Sequence, residues 1–277
     1  MTRLSVVIPA YNNGRFIADT MRSVLDQDYL DFDVIVADHS STDDTVAALE
    51  PFLSDARVTL LNTPAGGGAA RNWQRVTEAA TGELVKLVCG DDLLYPGALA
   101  AAVAAFDEHP DAVLVASRRD ILDAAGVPLI RSRGLPGLVG LVEGAHAVRE
   151  SVRAGTNLLG EPACVTMKTA VLAEAGGWDA SEAYLIDQAS YARVLERGPM
   201  VGLEESLAGF RLNAGQWSVA LARQQSAQAH AFHEKLRLRT GGVTRADVRM
   251  GNVRASVNAF MRRAIYLVFA RRLRDPR

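Results

Sequence analysis

Two hydrophobic rhythms alternate along the first 117 residues. Short apolar, β-branched runs at 4–9, 32–37, 57–61, 84–88 and 112–117 predict strands. Between them lie segments of helical period. Phe16, Ile17, Met21, Val24 and Leu25 mark one over 14–27. Segments 69–80 and 96–109 give two more, the last opened by Pro96. Ser41 or Thr42 is placed to cap a further helix, with Asp43 and Asp44 in its first turn. This alternation predicts an α/β domain with a mostly parallel open sheet flanked by helices.

After residue 120 the rhythm changes. Asp123-Ala124-Ala125-Gly126 predicts a hairpin turn, 131–142 a loop, 163–168 a strand and 187–197 a helix closed by Gly198-Pro199. From 218 onward the pattern is helical nearly to the end. The expected organisation is an α/β domain over 1–215 and a helical C-terminal extension over 216–277.

With 277 residues, 49% hydrophobic and 22% charged, the chain is too apolar to be disordered. Net charge is −2, which argues against nucleic acid as a partner. The charge is unevenly spread. Residues 245–277 hold nine arginines and two aspartates, a net +7, while the other 244 residues net −9. Cys89 and Cys164 are too few for a disulfide framework and form no CxxC pair, which points to a reducing compartment. No secretory signal is expected from the opening residues, and no apolar run is long enough for a membrane span. The expected location is cytoplasmic, with peripheral contact at the inner membrane face as an option.

In open parallel sheets ligands bind beyond the carboxyl ends of the strands. Four strand ends here carry polar groups: Pro9, Tyr11, Asn12 and Asn13; Asp38, His39, Ser40 and Ser41; Gly66-Gly67-Gly68 with Arg71 and Asn72; and Asp91-Asp92. Adjacent carboxylates repel unless a cation lies near them, and Mg²⁺ accepts one or two carboxylates together with phosphate oxygens. Alternatively, Asp92 caps the next turn and the triple glycine is an ordinary loop. Neither a GxGxxG fingerprint nor a phosphate loop follows the first strand, which argues against a dehydrogenase or P-loop enzyme.

In their order and spacing these segments resemble family 2 glycosyltransferases of the GT-A fold. The resemblance rests on Val6-Val7-Ile8-Pro9-Ala10-Tyr11-Asn12, on Asp38-His39-Ser40-Ser41-Thr42-Asp43, and on Ala70-Arg71-Asn72. It continues through Gly176-Gly177-Trp178-Asp179, Asp187 at a helix start, and Arg211-Leu212-Asn213-Ala214-Gly215. It implies an inverting enzyme that moves a sugar from a nucleoside diphosphate sugar to an acceptor hydroxyl. Pro9, Tyr11, Asn12 and Asp38 would hold the nucleoside, Asp38 accepting from the N–H of uracil or thymine. Arg71 would support the diphosphate, Asp91 would ligate Mg²⁺ or Mn²⁺, Asp92 would lie beside the donor, and Asp187 would be the base. The family's Asp-x-Asp-Asp stands here as Cys89-Gly90-Asp91-Asp92, and its closing histidine as Asn213. That leaves Asp91 as the principal protein ligand of the metal.

On the acceptor side Glu161 would hydrogen-bond hydroxyls and Trp178 would stack on a sugar. The alternatives are a capping carboxylate and a packed aromatic. The acceptor class stays open among glycans, lipid-linked sugars and small molecules. A degenerate sugar-binding module and a sugar nucleotidyltransferase are the competing readings. The latter lacks its glycine-rich signature after the first strand. His230 and His233, three apart on a helix, lack further metal ligands. Val253, Val257, Phe260, Ala264, Leu267 and Val268 share one face of the last helix. That face would pack on the body or on a second subunit as a homodimer, or lie on anionic lipid beside the arginines.

Overall fold

The computed structural model describes residues 2–213 and 224–268, without the side chains of 265–267. Its centre is β1 (Leu4–Ala10), buried along its whole length. A strand apolar on both faces is stable only with partners on both edges and cover above and below. Accordingly β1 pairs in parallel with β2 (Phe32–Asp38) and β4 (Leu84–Leu87), and β3 (Val58–Asn62) adds beyond β2. Helix α1 (Ile17–Leu25) covers the sheet through Ile17, Thr20, Met21 and Val24, the spacing that puts four side chains on one face.

The sheet continues through β9 (Val165–Lys168), antiparallel to both β4 and β6 (Leu114–Leu122), and then β10 (Met200–Arg211), parallel to β6. Short antiparallel strands complete ten among the described residues: β5 (Leu93–Leu94) and β8 (Gly140–Val142) on β10, and β7 (Pro128–Arg133) on β6. The mostly parallel sheet flanked by helices is therefore as expected. So is the turn at 123–126, where the Asp123 carboxylate accepts from the N–H groups of Ala125 and Val127.

Three expectations change. Residues 131–142 are only partly loop, since they include the end of β7 and all of β8. The sequence pattern does not predict β10, the longest strand. Exposed Glu204 and Glu205 sit at a bulge that shifts its register and breaks the apolar alternation. Neither Ser41 nor Thr42 caps a helix. Asn12, itself left-handed at φ 51°, donates its N–H to Ser41 Oγ (2.9 Å) and takes the Thr42 N–H on its Oδ1 (2.9 Å). Helix α2 (Thr45–Leu49) begins later, with the Thr45 N–H on Asp43 Oδ1 at 3.0 Å.

Five further helices are α3 (Gly68–Glu78), α4 (Ala98–Glu108), α5 (Gly144–Ala154), α6 (Thr169–Glu174) and α7 (Ile186–Leu195). The C-terminal helices α8 (Gln225–Arg239) and α9 (Arg245–Val268) join the same hydrophobic core through Ala229, Phe232, Leu236, Val248 and Ala255. Thr244 and Asp247 exchange hydrogen bonds in a capping box at the start of α9. Asp247 also pairs with Arg149 at 2.9 Å. Burial alone would raise its pKa, but the Arg149 and Thr244 hydrogen bonds win and hold it at about 2. Gly251 permits close approach to α5, since a Cβ there would lie 2.0 Å from the Val152 carbonyl oxygen. His230 and His233 are used in this packing rather than by a metal: both bond Asn252 of α9, at 3.0 and 2.8 Å.

The apolar stripe expected on the last helix faces solvent. Val253 is 66% exposed and Phe260 72%, with Val257 and Val268 also exposed. The helix packs instead through Val248, Gly251, Ala255 and Ala259, on its opposite side. Among the described residues no helix is long and apolar enough to cross a membrane.

Candidate active site

One cavity of about 910 Å³ opens at the carboxyl ends of the parallel strands. Pro9, Tyr11, Asn12 and Asn13 line it from the end of β1, Asp91 from the end of β4, Glu161 from the loop before β9, and Asp187 from the start of α7. These residues are far apart in sequence, and the crossovers of the sheet bring them to one place. Asn72 and Trp73 of α3 line it too, with Gly66, Gly68 and Cys89.

Asp91 and Asp92 have different fates. Asp91 faces the cavity and accepts from Asn213 Nδ2 at 2.8 Å. Burial raises its pKa, against the Asn213 hydrogen bond. Asp92 is wholly buried and does not line the cavity. One of its oxygens accepts the Arg211 backbone N–H at 3.0 Å, and the other is buried without a partner among the described residues. Burial, then the charge of Asp91, pushes its pKa well above the ordinary range. Asp92 therefore ties the end of β4 to the end of β10; it does not touch the space where a donor would lie. Among the described residues no three His, Cys, Asp or Glu side chains gather as a metal cage. Asp91 alone fits the smaller protein share that Mg²⁺ takes when phosphate oxygens supply the rest.

Asp187 is held on both oxygens. Asn157 Nδ2 donates to Oδ2 at 2.7 Å, and the Gln188 N–H donates to Oδ1 at 2.7 Å. Asn157 is fixed in turn by two hydrogen bonds with Gly160, at 2.8 and 3.0 Å. Burial raises the Asp187 pKa to about 7, helped by the negative charge of Glu161 and opposed by the two hydrogen bonds. A carboxylate poised near neutrality is suited to take a proton. Glu161 faces the same cavity as the partner of Arg119, whose Nε and Nη2 reach it at 2.6 and 3.3 Å. Arg119 is 1% exposed, so this bidentate pair is almost dry on the arginine side.

Three other expected residues lie elsewhere. Trp178 is buried, donates its indole N–H to Thr77 Oγ1 at 2.8 Å and packs edge-on against Trp73, with ring centroids 5.0 Å apart. It is a packed aromatic, and Trp73 is the ring at the cavity wall. Arg71 is exposed and lies along Gly67, outside the cavity lining. Asp38 is buried and outside the lining, with one oxygen on the Ser41 N–H at 3.2 Å and the other unpartnered among the described residues. Its neighbour His39 lines the cavity beside Tyr11, ring centroids 6.1 Å apart. Of the closing motif, Arg211, Leu212 and Asn213 are described, while 214–216 fall outside the described residues. The sequence reading missed Arg119 because it ended the fifth strand at residue 117. The polar end of the longer β6 was the signal.

The glycosyl transferase family 2 profile matches residues 5–136. MT1568, an uncharacterised protein of Mycobacterium tuberculosis, is 32% identical over 206 residues, 70% of this chain and 62% of that one. The poly(ribitol-phosphate) β-N-acetylglucosaminyltransferase TarS of Staphylococcus aureus is 34% identical over 133 residues, 46% of this chain and 23% of its own length. Over residues 5–136, just under half of its length, the chain is similar to glycosyl transferase family 2. Its fold is shared with the crystal structure of TarS 1–349 in complex with UDP-GlcNAc, at TM-score 0.67 and 20% identity, covering 85% of this chain and 66% of that one. It is shared equally with the mannosyltransferase PcManGT of Pyrobaculum calidifontis in complex with GDP-Man and Mn²⁺ (TM-score 0.66, 17% identity, 92% and 69% coverage). The fold is thus the GT-A type that the sequence motifs imply.

The geometry at Asp187 gives a direct expectation. Carbon-13 NMR should find one aspartate carboxyl titrating near pH 7, absent in Asp187→Asn. In Asn157→Ala the loss of a hydrogen bond to the charged form should move that titration to higher pH. A normal carboxylate value for Asp187 would contradict this environment.

Proposed function

We propose that the chain transfers a sugar, with inversion, from a nucleoside diphosphate sugar to an acceptor hydroxyl, with Asp187 as the general base. The observation that carries this reading is that Asp91 and Asp187 line one cavity, with Asp187 poised near neutrality. Tyr11, Asn12 and His39 would hold the nucleoside at the end of β1, and Asp38 would act from behind them. A UDP- or dTDP-linked donor is favoured. TarS, crystallised with UDP-GlcNAc, supports the UDP choice. Asp91 and the donor diphosphate would together hold Mg²⁺ or Mn²⁺, and the GT-A neighbour holding Mn²⁺ supports that cofactor. Such a metal supplies positive charge to the departing diphosphate.

The acceptor hydroxyl, placed against Glu161 and Asp187, gives its proton to the Asp187 carboxylate. Its oxygen bonds to the anomeric carbon as the bond from that carbon to the diphosphate oxygen breaks. The bonding pair leaves with the nucleoside diphosphate, and attack from the opposite face inverts the centre. Asn157 acts as a positioning residue by fixing the Asp187 carboxylate. The competing reading, a binding module without catalysis, gives no reason for a carboxylate so placed. Asp187→Asn should reduce transfer about 10²–10⁴-fold while leaving UDP binding intact. In the native chain transfer should rise with pH up to about 7 and level off, because below that value Asp187 holds a proton. Native-rate transfer by Asp187→Asn would sink the mechanism.

The exposed stripe of Val253, Val257 and Phe260 lies beside Arg249 and Arg254, also exposed. This favours peripheral contact of α9 with anionic lipid at the cytoplasmic face over a homodimer, since apolar area and basic charge act together there. The chain should sediment with phosphatidylglycerol vesicles and not with phosphatidylcholine, and Phe260→Glu should weaken it. A stable dimer that ignores both vesicles would favour the homodimer instead.

A further inference from the structure

Three arginines line the cavity, and their pairing is unequal. Arg119 is neutralised by Glu161. Arg133 ends β7, half-buried, and among the described residues its guanidinium meets no carboxylate and makes no hydrogen bond. Arg262 lies on the inward face of α9. Its Nε donates to Gln225 Oε1 at 2.8 Å, and its guanidinium lies 5.7 Å from the Tyr184 ring centroid. Neither contact cancels its charge.

Burial disfavours the charged form of Arg133, and the positive charges of Arg119 and then Arg262 disfavour it further. Glu161 opposes them but is already engaged by Arg119. His233, also at the cavity wall, is kept neutral by burial and adds no charge. An unbalanced pair of half-buried guanidiniums facing an open cavity is unfavourable by itself, and an oxyanion between them would relieve it. Guanidinium forks match phosphate and carboxylate oxygens in geometry.

The pair stands on the acceptor side. Arg119, the partner of Glu161, donates from Nη1 to the Arg133 carbonyl oxygen at 3.4 Å, and Arg262 lies over Tyr184, three residues before Asp187. We propose that the acceptor carries an oxyanion, a phosphate or a carboxylate, which Arg133 and Arg262 bind while the acceptor hydroxyl faces Asp187. This rests on the transferase reading above and narrows its substrate class to anionic acceptors.

The test uses the full chain saturated with UDP and Mg²⁺, so that the diphosphate site is filled. Dimethyl phosphate, acetate and neutral glycerol are then titrated and followed by NMR. An oxyanion should bind where glycerol does not, and the tighter of the two identifies phosphate or carboxylate as the acceptor group. Arg133→Met and Arg262→Met should each weaken that binding roughly tenfold. Arg133→Lys should keep most of it. Unchanged UDP affinity in these variants reports that they are folded. Failure of both oxyanions to bind the UDP-loaded chain, or binding unaffected by either Met variant, would overturn the proposal while leaving the donor site standing. Absence of UDP binding to the native chain, measured first, would instead overturn the transferase reading, and the acceptor assignment would fall with it.

Discussion

Everything at this site depends on how two adjacent carboxylates are kept at the buried end of β4. Placing them there is costly, because desolvation and mutual repulsion both disfavour charge. Asp92 meets part of that cost with the Arg211 backbone N–H, and Asp91 with the Asn213 side chain. Both partners lie at the end of β10 or just past it. The same hydrogen bonds that make the carboxylates tolerable therefore fasten the first half of the sheet to its last long strand. Asp91 is left facing the cavity and Asp92 is sealed behind it.

The opposite wall is built by a second set of buried charges. Arg119 comes from the end of β6 and holds Glu161 in a bidentate pair, and the loop carrying Glu161 also carries Asn157. Asn157 sets the Asp187 carboxylate. A chain of contacts thus runs from the strand end through the loop to the helix start, and it fixes the carboxylate that is poised near neutrality. The C-terminal helices contribute as well. By packing on α5 and the core, α9 brings Arg262 into the cavity wall and leaves its own apolar stripe outside.

Much of the fold was legible because β1, β2 and β4 bury both faces, and a strand of that kind reads as an unbroken apolar run. The hairpin turn and the helix at Asp187 were legible through local chemistry. The long β10 was not, because its bulge interrupts the pattern at Glu204 and Glu205. Among site residues, Pro9, Tyr11, Asn12, Asp91, Glu161 and Asp187 do converge. Motif position alone does not say which of two neighbours points inward, and there Asp92, Asp38 and Trp178 differ from expectation. Strand pleat and burial put Asp91 forward of Asp92, His39 forward of Asp38, and Trp73 at the wall where Trp178 was expected. Of the alternatives open for the apolar face of α9, packing on the body fails for a different reason: close approach at Gly251 and small Ala255 and Ala259 outweighs the larger apolar residues in deciding which side packs.

The proposed function requires that the Asp91 wall of this cavity receive a nucleoside diphosphate. Calorimetric titration with UDP, dTDP and GDP, each with and without Mn²⁺, tests this. A uracil or thymine diphosphate should bind, more tightly with Mn²⁺, and Asp91→Asn should abolish the gain from metal. Failure of all three nucleotides to bind, with metal present, would contradict it.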